Sequence, residues 1–122
     1  MIYKTIYQTA LALLGMRADT PGVGDFEERA PVLLSMLTHR FARYSEQLGS
    51  WAAETLAVTS LDDEFVLDPR LYAVISHELA AALILDELPE LAKTQRELAK
   101  AELSRVLDEA VRTSPTREVH GV

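Results

Sequence analysis

The sequence predicts an all-α protein: a four-helix domain with a central buried helix, a long C-terminal helix, and a minor β-hairpin or extended loop between helices 2 and 3. Three features carry that expectation. The segment DPRLYAVISHELAAALILDE (68–87) is apolar on nearly every side, and such a helix has no face to give to water, so other helices must wrap around it. It is followed by LPELAKTQRELAKAELSRVLDEAVRT (88–113), a charge-striped stretch of about seven helical turns. Glycines and prolines punctuate the chain where helices would stop and start.

Taken in order, Ile2, Ile6, Ala10, Leu13 and Leu14 recur at helical spacing, and Gly15 stands where a left-handed cap would end the helix. Residues 16–24 read as a loop, with Asp19-Thr20-Pro21-Gly22 as its turn. Asp25 with Glu28 three residues on has capping-box spacing. The helix it opens places Phe26, Ala30, Leu33, Leu34, Leu37, Phe41, Tyr44 and Leu48 on one broad face and stops at Gly49. Pro31 predicts either a kink or a true start near Ala30.

Leu56-Ala57-Val58-Thr59 and Phe65-Val66-Leu67 are short β-favouring runs, which reads as a small hairpin or an extended loop against the helices. Asp68-Pro69 then restarts helix, Asp as N-cap and Pro at the first position, where its missing N–H is harmless. Leu88-Pro89 repeats the device. In the last helix Leu91, Leu98, Leu103, Val106, Leu107 and Ala110 form the expected apolar stripe, with Lys93–Glu97, Arg105–Glu109 and Asp108–Arg112 as i,i+4 pairs on the other faces. The expected organisation is one helical domain over 1–112 and a flexible tail over 113–122, where periodicity ends.

Composition narrows the function. With 122 residues the chain has room for one real core, and its 48% hydrophobic and 25% charged content is that of an ordinary globular domain. Aromatics make up 7%, so the core must be mainly aliphatic. Cysteine is absent, which removes disulfides and thiol chemistry. The net charge of −7 argues against a duplex-binding surface, which needs concentrated basic charge to displace counterions. The longest apolar run, Leu79 to Leu85, is far short of a membrane span.

Catalytic and metal motifs are incomplete. His77-Glu78 opens like the zinc-protease pattern H-E-x-x-H, but Ala81 occupies the second ligand position. Gly22-Val23-Gly24 starts like a dinucleotide loop, but Glu27 stands in place of the third glycine and no strand precedes it. His39, His77 and His120 have no metal spacing, and Asp62-Asp63-Glu64 lacks the glycine and spaced oxygens of a calcium loop, so it reads as a solvated turn. Neither a metal site, a cofactor site nor a catalytic residue is expected. The basic group His39, Arg40 and Arg43, with Tyr44, reads as a solvated helix face or a patch for an acidic partner. Ala73, Ser76, Ala80 and Ala81 read as tight core packing.

The runs IYQTALALLGM, EERAPVLLSMLTHRF and SLDDEFVLDPRLYAVISHELAAALILDELPELAKTQRELAKAEL together resemble the small head–tail connector (adaptor) proteins of tailed bacteriophages. Leu14-Gly15 matches the Leu-Gly pair that ends that family's first helix. Arg29 to Leu34 matches its "RAP-LL" run, and Ser60 to Leu67 with Leu79 to Leu83 match its "sLdDe-L" and "LAA-L" segments. The resemblance spans nearly the whole chain. The Ala-rich ELAKAEL departs from the longer polar or aromatic segment the family often carries there.

The resemblance implies a structural, non-enzymatic protein of the virion head–tail interface, present in the host cytoplasm during assembly. Copies would form a ring under the portal protein, extend the DNA channel, and offer a platform to a downstream stopper or tail-terminator protein. Genome DNA would pass the acidic lumen without sequence-specific binding, and no membrane would be involved. The portal contact would use the end of the last helix and the tail, with Arg105, Asp108, Arg112, Arg117 and His120 as the partner-binding residues. Two other classes fit the residues: a dimeric helical protein-binding or regulatory module, and an enzyme using His77, Glu78 and the 62–64 carboxylates.

Overall fold

The computed structural model describes residues 1–50 and 56–113. Among these residues four helices follow one another: α1 (Tyr3–Leu13), α2 (Val23–Gln47), α3 (Tyr72–Ile84) and α4 (Pro89–Thr113), with a short 3₁₀ turn (Pro69–Leu71) leading into α3. The expected all-α fold with a central third helix is what forms. α3 packs against each of the other three helices. Val74, Ile75, Leu79, Ala80, Ala81, Leu83 and Ile84 are all buried on it, so apolar side chains around its whole circumference find a neighbour.

The start of this central helix is fixed by a polar knot. Asp68 caps the 3₁₀ turn by accepting from the Arg70 N–H at 2.9 Å, with Pro69 in the first position as expected. Its two carboxylate oxygens also take the Arg70 guanidinium in a fork, at 2.9 Å each, and the Ser50 hydroxyl at 2.7 Å. The Asp68 N–H donates to the Ser45 hydroxyl at 2.8 Å, and Arg70 donates to the Leu48 carbonyl at 2.7 Å. The end of α2 is thereby tied to the beginning of α3. At the other end of α3 the Arg29 guanidinium reaches the Leu83 and Ala82 carbonyls at 3.4 and 3.5 Å, placing a cation where the last carbonyls of a helix lack partners.

Three expectations need correction. No hairpin forms between Leu56 and Leu67; the alternative, an extended loop, is what the chain adopts, and an isolated antiparallel bridge joins Ile2 to Glu64. The loop's hydrogen bonds go to the helices instead. Asp63 and Leu61 carbonyls accept from the first N–H groups of α1 (Tyr3 at 2.9 Å, Lys4 at 2.7 Å), Phe65 N–H donates to the Met1 carbonyl at 2.8 Å, and the Ser35 hydroxyl bonds the Val58 backbone. The edges that a hairpin would pair are already used.

The second correction concerns the start of α2, which is Val23 rather than Asp25 or Ala30. Gly22, at φ 91°, turns the chain into the helix, and Val23, Phe26 and Ala30 bury its first turns, so the helix runs through Pro31. Asp25 lies in the first turn and pairs with Arg29. Third, α4 buries Ala92, Gln95, Ala99 and Val106, whereas Leu91 and Leu98 are exposed. Val106 and, partly, Leu103 face the core as expected, but over the first half of α4 the core-facing stripe is rotated from Leu91 and Leu98 to Ala92, Gln95 and Ala99, whose alanines let α4 lie close to α3. Arg105–Glu109 and Arg112–Asp108 pair as expected, while Lys93–Glu97 is not among the ion pairs formed. Thr113 closes α4, and residues 114–122 of the expected tail lie outside the described residues.

Truncating the fully buried Leu79 to Ala is expected to lower unfolding free energy by about 2–5 kcal/mol, since transfer and cavity terms add. Leu98→Ala, at an exposed position, is expected to stay within about 0.5 kcal/mol. Urea denaturation of both checks the burial pattern of α3 against that of α4.

Asp68 predicts an acid limb of stability. Its bonds to Arg70, outweighing burial, hold its pKa at about 2 against an ordinary 3.8. A carboxyl whose folded pKa lies below its unfolded one stabilises fully above about pH 4 and loses that contribution as pH falls toward 2. The shift corresponds to about 2 kcal/mol. Asp68→Asn is expected to lose about that much at neutral pH and to show a flatter stability profile between pH 4 and 2, measured by denaturation at each pH.

Candidate interaction surfaces

Sequence alone offers His77-Glu78 as half of a zinc motif; the structure gives both residues other work. Neighbouring positions on a helix point about 100° apart, so the pair faces two different helices. His77 Nδ1 lies 2.7 Å from Gln95 Oε1 on α4. Glu78, only 7% exposed, takes the Arg40 guanidinium of α2 at 2.6 Å. Both are clamps between helices. Buried polar groups must be hydrogen-bonded, and polar residues inside so apolar a helix signal such partners, although the sequence does not say that they are Arg40 and Gln95.

The basic group on α2 forms one wall of a cleft of about 230 Å³ lined by residues of α2, α3 and α4. The Arg40 guanidinium sits 4.9 Å over the Phe41 ring and that of Arg43 4.7 Å over the Tyr44 ring, with Arg43 also donating to the Tyr44 hydroxyl at 2.7 Å. Such stacking holds an arginine in place while leaving its charge at the surface. Glu78 joins the lining from α3, and Ala99, Lys100 and Leu103 from α4. Lys100 and Leu103 were not legible as part of the patch, because they lie far away in sequence. His39 is drawn aside, its Nδ1 2.8 Å from the Ser35 carbonyl.

The expected partner-binding residues Arg105, Asp108 and Arg112 lie together on the last turns of α4 and are exposed. Arg105 is held by Glu102 at 2.6 Å and Glu109 at 2.7 Å, and Arg112 by Asp108 at 3.5 Å. The Arg105 guanidinium keeps the Glu102 carboxyl below its ordinary range. Arg105 lines two shallow grooves. One, of about 390 Å³, also involves Arg70, Val106, Glu109, Ala110 and Thr113; the other, of about 480 Å³, involves Ser104, Leu107, Asp108 and Val111. Arg117 and His120 lie outside the described residues.

No family model, curated protein or solved structure matches this chain. The surfaces must therefore be read from their own chemistry.

Two of the three 62–64 carboxylates have partners. Asp63 Oδ2 accepts from the Thr59 N–H at 2.9 Å, the Ser60 N–H at 3.1 Å and the Thr59 hydroxyl at 3.2 Å, and those backbone donors push its pKa down. Glu64 pairs with the terminal ammonium of Met1 at 3.3 Å. Among the described residues there is no group of three or more His, Cys, Asp or Glu side chains arranged to hold a metal ion. Among the same residues no helix is long and apolar enough to cross a membrane. What remains conspicuous is exposed apolar surface: Val32 and Met36 on α2, Leu85, Leu88 and Leu91 around the α3–α4 corner, Leu98 and Val111 on α4.

Removing Arg40 while leaving Glu78 strands a buried carboxylate. Arg40→Gln is expected to destabilise the fold by about 1–3 kcal/mol, and the double variant Arg40→Gln with Glu78→Gln by less than the sum of the two single changes. A double-mutant cycle in urea measures the difference; additive losses would mean the pair does not couple α2 to α3.

Proposed function

We propose that this chain is a structural head–tail connector of a tailed bacteriophage, assembling as a ring under the portal protein and extending the DNA channel. The observation that carries the reading is α4. It is 25 residues long, roughly 37 Å, and buries only a narrow line of mostly small side chains. It leaves Leu91 and Leu98 exposed on one flank and Val111 on another. A ring of identical subunits needs two different surfaces on each copy that meet head to tail, and a helix with apolar side chains on both flanks of its core stripe supplies candidates for both. The family-like pattern along nearly the whole chain supports the same reading.

In this reading the portal docks on the end of α4 through Arg105, Asp108 and Arg112, joined by Arg117 and His120 of the segment that follows. A stopper or tail-terminator protein takes the opposite side of the ring. The net charge of −7 on each copy makes a repellent lumen that lets the DNA backbone pass without being captured. The role needs no cofactor and no catalytic residue. The virion is its final location and the host cytoplasm its place of assembly.

The test is association with portal-bearing heads. Full-length protein is expected to co-sediment with them and to raise the yield of joined particles. Chain cut after Thr113 is expected to stay folded but lose joining. If the cut protein joins heads and tails at normal yield, the tail is not the anchor. If full-length protein never associates with such heads and its own assembly stops at a dimer, the dimeric protein-binding module is the better reading.

A further inference from the structure

We infer that the cationic, aromatic cleft between α2 and α4 is the docking site for the α3–α4 corner of a second copy of this chain. Arg40, Arg43 and Lys100 bring three positive charges to a cleft whose lining holds one carboxylate, Glu78, in a chain whose overall charge is strongly negative. Lys100 is exposed and pairs with no carboxylate among the described residues. Phe41 and Tyr44 add flat apolar walls. One to three turns N-terminal along the exposed side of α2, Val32 and Met36 are each 64% exposed, so basic and apolar surface are continuous.

The corner carries the complement. Leu85, Leu88 and Leu91 are exposed there, interleaved with Asp86, Glu87 and Glu90, all exposed and unpaired with any cation among the described residues. Leucines and carboxylates thus project together from the connection and the first turn of α4. The cleft cannot receive its own corner. Arg29 of α2 lies at the end of α3 next to the corner, and Arg40 is eleven residues further along α2, roughly 16 Å away. Two different surfaces of opposite charge, one at the end of the bundle and one on its side, define a heterologous contact, which propagates from copy to copy and can close into a ring. The inference rests on the proposed function for its setting, while the contact itself concerns only this chain.

Charge reversal tests it. One variant carries Arg43→Glu and Lys100→Glu; the other carries Asp86→Lys and Glu87→Lys. All four positions are exposed, and thermal melts confirm that each variant folds. In sedimentation velocity at low salt, the unaltered chain is expected to associate with concentration, and less so at high salt, where screening is strong. Each variant alone opposes like charges and is expected to weaken association about tenfold or more. An equimolar mixture of the two restores opposite charges at both contacts and is expected to recover association. An unaltered chain that stays monomeric, variants that associate as it does, or a mixture no better than its parts would each overturn the inference. Failure here with intact binding to portal-bearing heads removes only this contact; successful charge rescue without head binding removes only the connector reading.

Discussion

The constraint on which the structure depends is the burial of α3. A helix of 13 residues with apolar side chains on every side must be enclosed, and α1, α2 and α4 are positioned to enclose it. Enclosure brings a second demand. Each polar group that α3 carries inward, and each backbone group at its ends, loses water and must find a partner within the protein. Asp68 answers at the N-terminal end, Arg29 at the C-terminal end, Arg40 for Glu78, and Gln95 for His77. Ser76 turns its hydroxyl back to the Tyr72 carbonyl at 2.8 Å. Hydrophobic burial sets which helices surround α3, and the polar contacts set how each is turned.

This division explains what could be read from the sequence. Burial of α3 was legible because apolarity on all sides needs no knowledge of neighbours. Asp68-Pro69 and Pro89 were legible because helix starts depend on local backbone chemistry. The face of α4 was legible in part: Val106 and Leu103 face the core as expected, but hydrophobicity favours Leu91 and Leu98 where close approach of α4 to α3 selects Ala92 and Ala99 instead. Of the two readings of 56–67, the extended loop holds and the hairpin does not, because β-favouring runs report a wish for extended backbone without naming the partner. Here the partners are the first turn of α1 and the hydroxyl of Ser35.

The interaction surfaces were legible only in part, for a similar reason. Arg40 and Arg43 announce a basic patch, yet a cleft needs a second wall, and Lys100 and Leu103 stand some sixty residues downstream. Arg105, Asp108 and Arg112 share one region of α4, as helical spacing requires; Arg112 pairs with Asp108, and Arg105 with Glu102 and Glu109. Charges paired at an exposed surface contribute little to stability. They can exchange those partners for others at small cost, which suits a surface that must bind.

The geometry of α4 follows from that of α3. The connection between them is only the four residues 85–88, so α4 runs back along α3 and reaches the 3₁₀ turn that opens it. At 25 residues against 13, it runs past Val106, its last buried residue, by seven residues, roughly 10 Å. Burial of Val106 marks the last firm contact with the core. Beyond it the helix is held by its own ion pairs, and there the two grooves around Arg105 lie. A projecting helix is mobile when its base is loose. This one is rooted beside Arg70, whose guanidinium is clamped by Asp68 and Leu48, so the residues that start α3 also fix the direction in which α4 leaves the domain.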